Sequence, residues 1–208
     1  MHNSFEADKQ PVKLIICQEI NRKYDFSFLY TLKFDILAAF IFYGDLSCPD
    51  LSKHIAYFKA QNITIILKTT AMHALKLGAN GVHIENEFEN IRGIKKKYPE
   101  LLLGCGNIKN KHSAMHAAEY GADYLFFGRL GYDKKQEPNA YNKTLCKWWL
   151  QIAQIPAILQ SGTCADYIKE ILLCEPEFIA IDNMLINSFD KEAIIGYIEN
   201  NIKFGLMG

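Results

Sequence analysis

The sequence states one unit twice. Leu77-Gly78-Ala79-Asn80-Gly81-Val82-His83-Ile84-Glu85 is echoed by Tyr120-Gly121-Ala122-Asp123-Tyr124-Leu125-Phe126-Phe127-Gly128. Each copy leaves an amphipathic stretch, crosses a Gly-Ala-Asn or Gly-Ala-Asp turn, and enters a short apolar run. Glycine supplies the left-handed conformation that ends a helix, and Asn or Asp tolerates the turn that follows. A fainter third copy runs Leu173-Cys174-Glu175-Pro176-Glu177-Phe178-Ile179-Ala180-Ile181-Asp182, with proline as the helix stop. A repeated helix-turn-strand unit requires parallel strands, and parallel strands carry their binding sites at their C-terminal ends.

Extending that period along the chain gives eight strands, at residues 14–17, 36–43, 63–67, 81–84, 101–103, 124–127, 157–159 and 178–181. Each is a short apolar or β-branched run between turn signals. Helical periodicity covers 50–60, 72–77, 87–97, 112–120, 142–153, 164–173 and 190–201. Eight such units fit a closed (β/α)8 barrel, and 208 residues form a compact one, since about 250 is typical. A doubly wound open sheet is the rival. It calls for a glycine-rich phosphate loop after the first strand, where this chain has Gln18-Glu19-Ile20. One domain over 1–208 is expected, with residues 1–12 as a flexible N-terminal tail.

Composition narrows the function classes. Lys plus Arg equals Asp plus Glu at 23 each, so no general charge draws the chain to nucleic acid or to an acidic membrane. The apolar runs fall short of the roughly 18 residues needed to span a bilayer. The six cysteines are scattered without a Cys-x-x-Cys pair, and the N-terminus carries no basic-then-apolar leader. Reduced thiols in a cytoplasmic protein follow as the expectation.

In a barrel the chemistry lies just past the strand ends. Those positions hold Gln18, Tyr43, Lys68, His83, Glu85, Asn107, Arg129, Gln160, Ser161, Gly162, Asp182 and Asn183. Phosphate sites in barrels use the loops after strands 7 and 8, which here are Gln160-Ser161-Gly162-Thr163 and Asp182-Asn183-Met184. Gly162 would let backbone approach an anion; an ordinary loop capping the next helix is the plain alternative. Asp182 repels a phosphate unless a cation intervenes. Lys68 could pair a phosphate or form a Schiff base, or reach solvent from the rim. Arg129 suits bidentate anion recognition. His83 could serve as acid or base, or as a hydrogen-bonded structural residue. His112 and His116 have metal-binding spacing but lie on an outer helix and read as surface residues; Lys95-Lys96-Lys97 reads as a solvated helix end. Residues 131–141, polar and lysine-rich, read as a long loop on the active face.

The ordered set Gly78-Ala79-Asn80-Gly81-Val82-His83, Gly121-Ala122-Asp123-Tyr124, and Ile155-Pro156-Ala157-Ile158 with Gly162 resembles the thiamine phosphate synthase and thiazole tautomerase superfamily, from about Ile63 to Met184. The resemblance implies a (β/α)8 barrel. Its synthase branch joins a pyrimidine diphosphate to a thiazole phosphate with magnesium, releasing pyrophosphate; its tautomerase branch isomerises a thiazole carboxylate phosphate.

The departures fall on the chemistry. The family's Asn-Asp-Arg after strand 3 is Lys68-Thr69-Thr70, and its His-Leu-Gly-Gln-x-Asp after strand 4 is His83-Ile84-Glu85-Asn86-Glu87-Phe88. Thr69 and Phe88 thus stand where the family keeps its magnesium aspartates, so no metal site is expected, and magnesium enters only if Glu85 or Glu87 substitutes. The basic strand 2 pattern is replaced by Phe40-Ile41-Phe42-Tyr43-Gly44, an apolar mouth, and the tautomerase histidine by Arg129.

The resulting expectation is a divergent thiamine phosphate synthase-like protein without standard magnesium-dependent turnover. It would act, if at all, as a transferase or isomerase through Lys68, His83 and Arg129. It would bind a small phosphorylated, thiazole-type metabolite on Ser161, Gly162, Asn183 and Asn107, with a homodimer as the candidate assembly. A non-catalytic barrel that binds a metabolite or a protein partner is the alternative.

Overall fold

The repeated turn is a clamp at the N-terminal end of the barrel. In the first copy Asn80 Oδ1 accepts the Ile65 N–H at 2.9 Å, while the Asn80 N–H donates to the Ile65 carbonyl at 2.8 Å. In the second, Asp123 Oδ2 accepts the Leu103 N–H at 2.6 Å and its own N–H donates to the Leu103 carbonyl at 2.7 Å. In the third, Glu177 Oε2 accepts the Ala157 N–H at 2.8 Å. Each copy ties the residue before an even-numbered strand to the first turn of the preceding odd-numbered one. Gly78 (φ 81°) and Gly121 (φ 98°) hold the left-handed caps; in the third copy Glu175 (φ 56°) takes that conformation ahead of Pro176.

In the computed structural model, which describes residues 11–32, 35–132, 134–186 and 190–204, these clamps belong to a closed parallel barrel. The elements run β1 (Lys13–Ile20), α1 (Ser27–Thr31), β2 (Leu37–Gly44), α2 (Leu51–Ala60), β3 (Thr64–Leu67), α3 (Ala71–Leu77), β4 (Gly81–Glu85), α4 (Asn90–Lys97) and β5 (Leu102–Gly106). They continue with α5 (Lys111–Glu119), β6 (Tyr124–Phe127), α6 (Ala140–Ile152), β7 (Ala157–Gln160), α7 (Ile168–Leu172), β8 (Phe178–Ile181), α8 (Asn183–Ile186) and α9 (Lys191–Phe204). Strands pair in chain order, and β8 closes on β1 with Ile15 opposite Ala180. All eight expected strands are present, within a few residues of the expected bounds. Of the expected tail, residues 1–10 lie outside the described residues, and Val12 packs on the outer core.

Strand alternation splits the core in two. Ile15, Cys17, Ala39, Ile41, Tyr43, Ile66, Tyr124, Phe126 and Ile158 fill the barrel, while Phe40, Phe42, Ile65 and Leu103 pack outward under the helices. This corrects the reading of residues 40–43 as an apolar mouth. Phe40 and Phe42 stack on each other at 5.4 Å, with Phe58 of α2 4.9 Å from Phe40, so only Ile41 and Tyr43 face the interior. Lys95 also departs from expectation: its Nζ lies 2.6 Å from Asp123 Oδ2 and reaches the Leu101 carbonyl at 3.2 Å. It braces the second clamp.

Asp123→Ala strands the buried Leu103 N–H and is expected to cost about 1–3 kcal/mol. Lys95→Met, which removes a part-exposed ion pair and a part-buried hydrogen bond to the Leu101 carbonyl, is expected to cost about 1 kcal/mol. Urea denaturation of the two variants checks the order.

Candidate functional site

At the C-terminal face the strand ends turn inward and meet. Glu85, whose side chain is 5% exposed, closes β4. Its Oε2 accepts from Lys68 Nζ at 2.6 Å and its Oε1 from the Leu130 N–H at 3.0 Å. Asp182, 3% exposed, follows β8 and accepts from Tyr43 Oη at 2.6 Å, the Gly131 N–H at 2.7 Å and Gln160 Nε2 at 3.2 Å. Gln160 ends β7; its Oε1 accepts the Arg129 N–H at 2.7 Å, and its Nε2 also donates to the Arg129 carbonyl at 3.2 Å. Gly128 is glycine for a local reason: a Cβ there would collide with the Gln160 side chain.

His83 faces the barrel interior and is 2% exposed. Its Nδ1 shares a hydrogen bond with Tyr124 Oη at 3.0 Å, and its ring meets Phe126 edge to face. A Cβ at Gly106 would collide with the imidazole, so the glycine makes room for it. Burial first, and the Lys68 charge second, push the imidazole down to about 3. Glu85 Oε1 lies 3.9 Å from Nε2, but Lys68 at 2.6 Å already balances that carboxylate, so a proton on His83 gains little from it. At neutral pH the ring is therefore uncharged. The buried Cys17 thiol is pushed well up, by burial and then by Asp182 and Glu85, so it is no thiolate nucleophile.

The other expected site residues divide into two groups. Arg129 and Asn107 line a cleft of about 480 Å³ together with Tyr132, Lys134, Lys135, Asn139, Asn142 and Gln160. The Arg129 guanidinium lies 3.4 Å over the Tyr132 ring. Asn107, in a left-handed conformation (φ 55°), donates from Nδ2 to Asn86 at 2.9 Å and from its backbone to the Gly128 carbonyl at 2.8 Å. Ser161 and Gly162 sit behind the β6–α6 loop. A Cβ on Gly162 would collide with the Gln136 carbonyl, and the Thr163 and Cys164 amides donate to Lys135 and Gln136 at 2.8 and 3.3 Å. An anion would reach those amides only after that segment moved. Ser161 Oγ donates to the Gly162 carbonyl at 3.1 Å. Asn183 begins α8; its side chain lies outside the described residues.

Among the residues the resemblance places at the metal, Thr69 Oγ1 bonds His73 at 3.1 Å, Phe88 packs on the outer core, and Glu87 is exposed and accepts from Asn90 at 3.2 Å. Leu130 was no candidate on sequence grounds, yet it is 1% exposed and packed among the interior residues.

This geometry sits on a sequence that matches the thiamine monophosphate synthase (TMP-TENI) family model over residues 49–185, more than half of the chain. The chain belongs to this family. Thiamine-phosphate synthase of Erythrobacter litoralis is 25% identical over 145 residues, 67% of this chain and 68% of that protein. Thiamine-phosphate synthase of Pelagibacter ubique is 24% identical over 211 residues, 89% of this chain and 93% of that one. Thiamine phosphate pyrophosphorylase from Pyrococcus furiosus superposes with a TM-score of 0.75 at 17% identity, covering 94% and 97% of the two chains; that likeness shows the barrel alone. Among the described residues, no helix of this family member is long and apolar enough to cross a membrane.

Proposed function

We propose that this family member binds a phosphorylated thiazole-type ligand at its C-terminal face and does not carry out the standard magnesium-dependent condensation. One observation supports the binding half above others. The ≈480 Å³ cleft is lined by Arg129, Lys134 and Lys135 with the amides of Asn107, Asn139 and Asn142, and none of the described residues that line it carries a carboxylate. Arginine and lysine beside neutral amides suit a phosphate: charge from the cations, hydrogen bonds from both. In this reading Arg129, Lys134 and Asn107 are the anchors. Ser161 and Gly162 join them only if the Lys135–Gln136 backbone withdraws.

The residues at the family's metal positions do not fit magnesium. A magnesium site needs oxygen ligands in near-octahedral geometry, usually with one or two carboxylates. Thr69 and Phe88 supply none, Glu87 points to its own helix start, and both Glu85 oxygens are engaged by Lys68 and the Leu130 amide. The Lys68 ammonium supplies a fixed positive charge at that carboxylate, but as a single point charge it does not bridge a diphosphate. Departure of pyrophosphate requires neutralisation worth several kcal/mol, and the described residues at the family's metal positions do not fit the ion that would provide it. His83, neutral and buried, is not among the residues that line the cleft.

Titration calorimetry with thiazole phosphate is expected to give one-to-one binding. Arg129→Ala with Lys134→Ala is expected to weaken it about 10- to 100-fold, the loss of one or two charge-assisted hydrogen bonds. With both thiamine precursors and magnesium, no thiamine phosphate is expected. Absence of binding overturns the ligand assignment; turnover at an ordinary enzymatic rate overturns the reading of the metal positions.

A further inference from the structure

We infer that residues 129–131 form a built-in stopper that closes the barrel mouth and stands between two clefts of the C-terminal face. Three successive backbone amides are each held by a buried side chain from a different strand end. The Arg129 N–H goes to Gln160, the Leu130 N–H to Glu85 and the Gly131 N–H to Asp182, at 2.7, 3.0 and 2.7 Å. Loop amides ordinarily face water; here the barrel supplies a side-chain acceptor for each. The side chain between them, Leu130, points into the barrel and joins the interior cluster with Ile66, Phe126 and Ile158. Gly131 closes the segment at φ 75°, where a Cβ would be strained and would stand 3.2 Å from the Tyr43 ring. Lifting the segment would break three amide hydrogen bonds and expose one buried leucine together, so the closed arrangement is held from several sides at once.

The consequence concerns what chemistry the face can host. On one side of the stopper lies the cleft of Arg129, Asn107 and Gln160; on the other lies a cleft of about 570 Å³ lined by Glu19, Tyr43 and Lys68. Leu130 and Gly131 line the second cleft, and Tyr132 and Lys134 border both. Two molecules that are to be joined must bring their reacting atoms within about 3–3.5 Å. Leu130 and Gly131 fill the space at the barrel mouth between the two clefts. A condensation whose reacting atoms meet at the mouth therefore needs the stopper lifted. This inference does not depend on which anion occupies the basic cleft.

Hydrogen exchange followed by NMR on the full chain tests it. The Leu130 and Gly131 amides are expected to exchange at least about 100-fold more slowly than in an unstructured peptide of the same sequence, as for amides of the strands. Slowing below about 100-fold at either amide overturns the stopper. In Asp182→Ala, protection of Gly131 is expected to fall at least about 10-fold more than that of Val82 in β4, whose protection follows the global stability of the variant. A fall at Gly131 no larger than that at Val82 overturns the assignment of Asp182 as its anchor. Should the variant not fold, the measurement on the natural chain decides alone.

Discussion

Taking the protein from pH 7.5 to pH 4.5 is expected to remove about 3 kcal/mol of folding stability through His83 alone. In the fold the imidazole is held down to about 3, by burial and then by the Lys68 charge; in the unfolded chain it titrates near its ordinary value of 6.5. Between those two values the unfolded chain binds a proton that the folded one refuses. Stability is therefore fully present above about pH 6.5 and is lost progressively as the pH falls toward 3. Two pH units below 6.5 correspond to about 3 kcal/mol. Asp25, Asp45 and Asp50 are held below the usual carboxylate range by hydrogen bonds to Ser27, Ser47 and Lys53, and they also lose stability only toward acid. They do so equally in any His83 variant. His83→Gln can still accept from Tyr124 but does not titrate, so urea denaturation at the two pH values is expected to show the variant losing about 3 kcal/mol less than the natural chain. Equal losses in the two proteins would falsify the picture of a buried neutral imidazole.

The clamp turns explain why the barrel was legible from the sequence. A helix cap, a turn residue with a short polar side chain and an apolar run are local signals, and Asn80, Asp123 and Glu177 each carry them within a few residues of the strand they serve. The elements that escaped were short. The five residues of α1 and the four of α8 span little more than one turn each, too few for a hydrophobic period to register. The site was legible in part. Barrel geometry put Glu85, Gln160 and Asp182 at strand ends, so they could be named as candidates. Their partners on the loop after β6, Arg129, Leu130 and Gly131, could not be named, because they lie 31 to 51 residues away along the chain. Leu130 is a single leucine entering a polar loop and has no periodicity to give it away. The flanking Gly128 and Gly131 were the available signal, since each marks a close approach that a side chain would obstruct. Gly162 carries the same lesson with the opposite sign. It looked like an anion cradle, and the close approach it allows is to the chain's own Gln136.

Asp182→Ala is expected to cost about 3–5 kcal/mol, and Asp182→Asn about 1–2 kcal/mol. The carboxylate is buried and accepts from the Tyr43 hydroxyl, the Gly131 amide and the Gln160 side chain. Alanine leaves those buried donors without this acceptor, and each stranded donor costs about 1–3 kcal/mol before any relaxation. Relaxation is limited because Tyr43 and Gln160 are themselves buried and water has little room to replace the carboxylate. Asparagine keeps one carbonyl oxygen in place and removes the desolvation cost of a buried charge, which offsets part of the loss. It also brings an amide donor toward other donors, so it does not match the natural residue. The pair of variants therefore separates charge from hydrogen bonding. If the charge itself were what holds the stopper, the two substitutions would cost the same. If acceptor capacity holds it, asparagine retains most of the stability and alanine does not. Chemical denaturation of the three proteins at pH 7.5 reads the order directly, and the expected ranking is natural chain, then asparagine, then alanine.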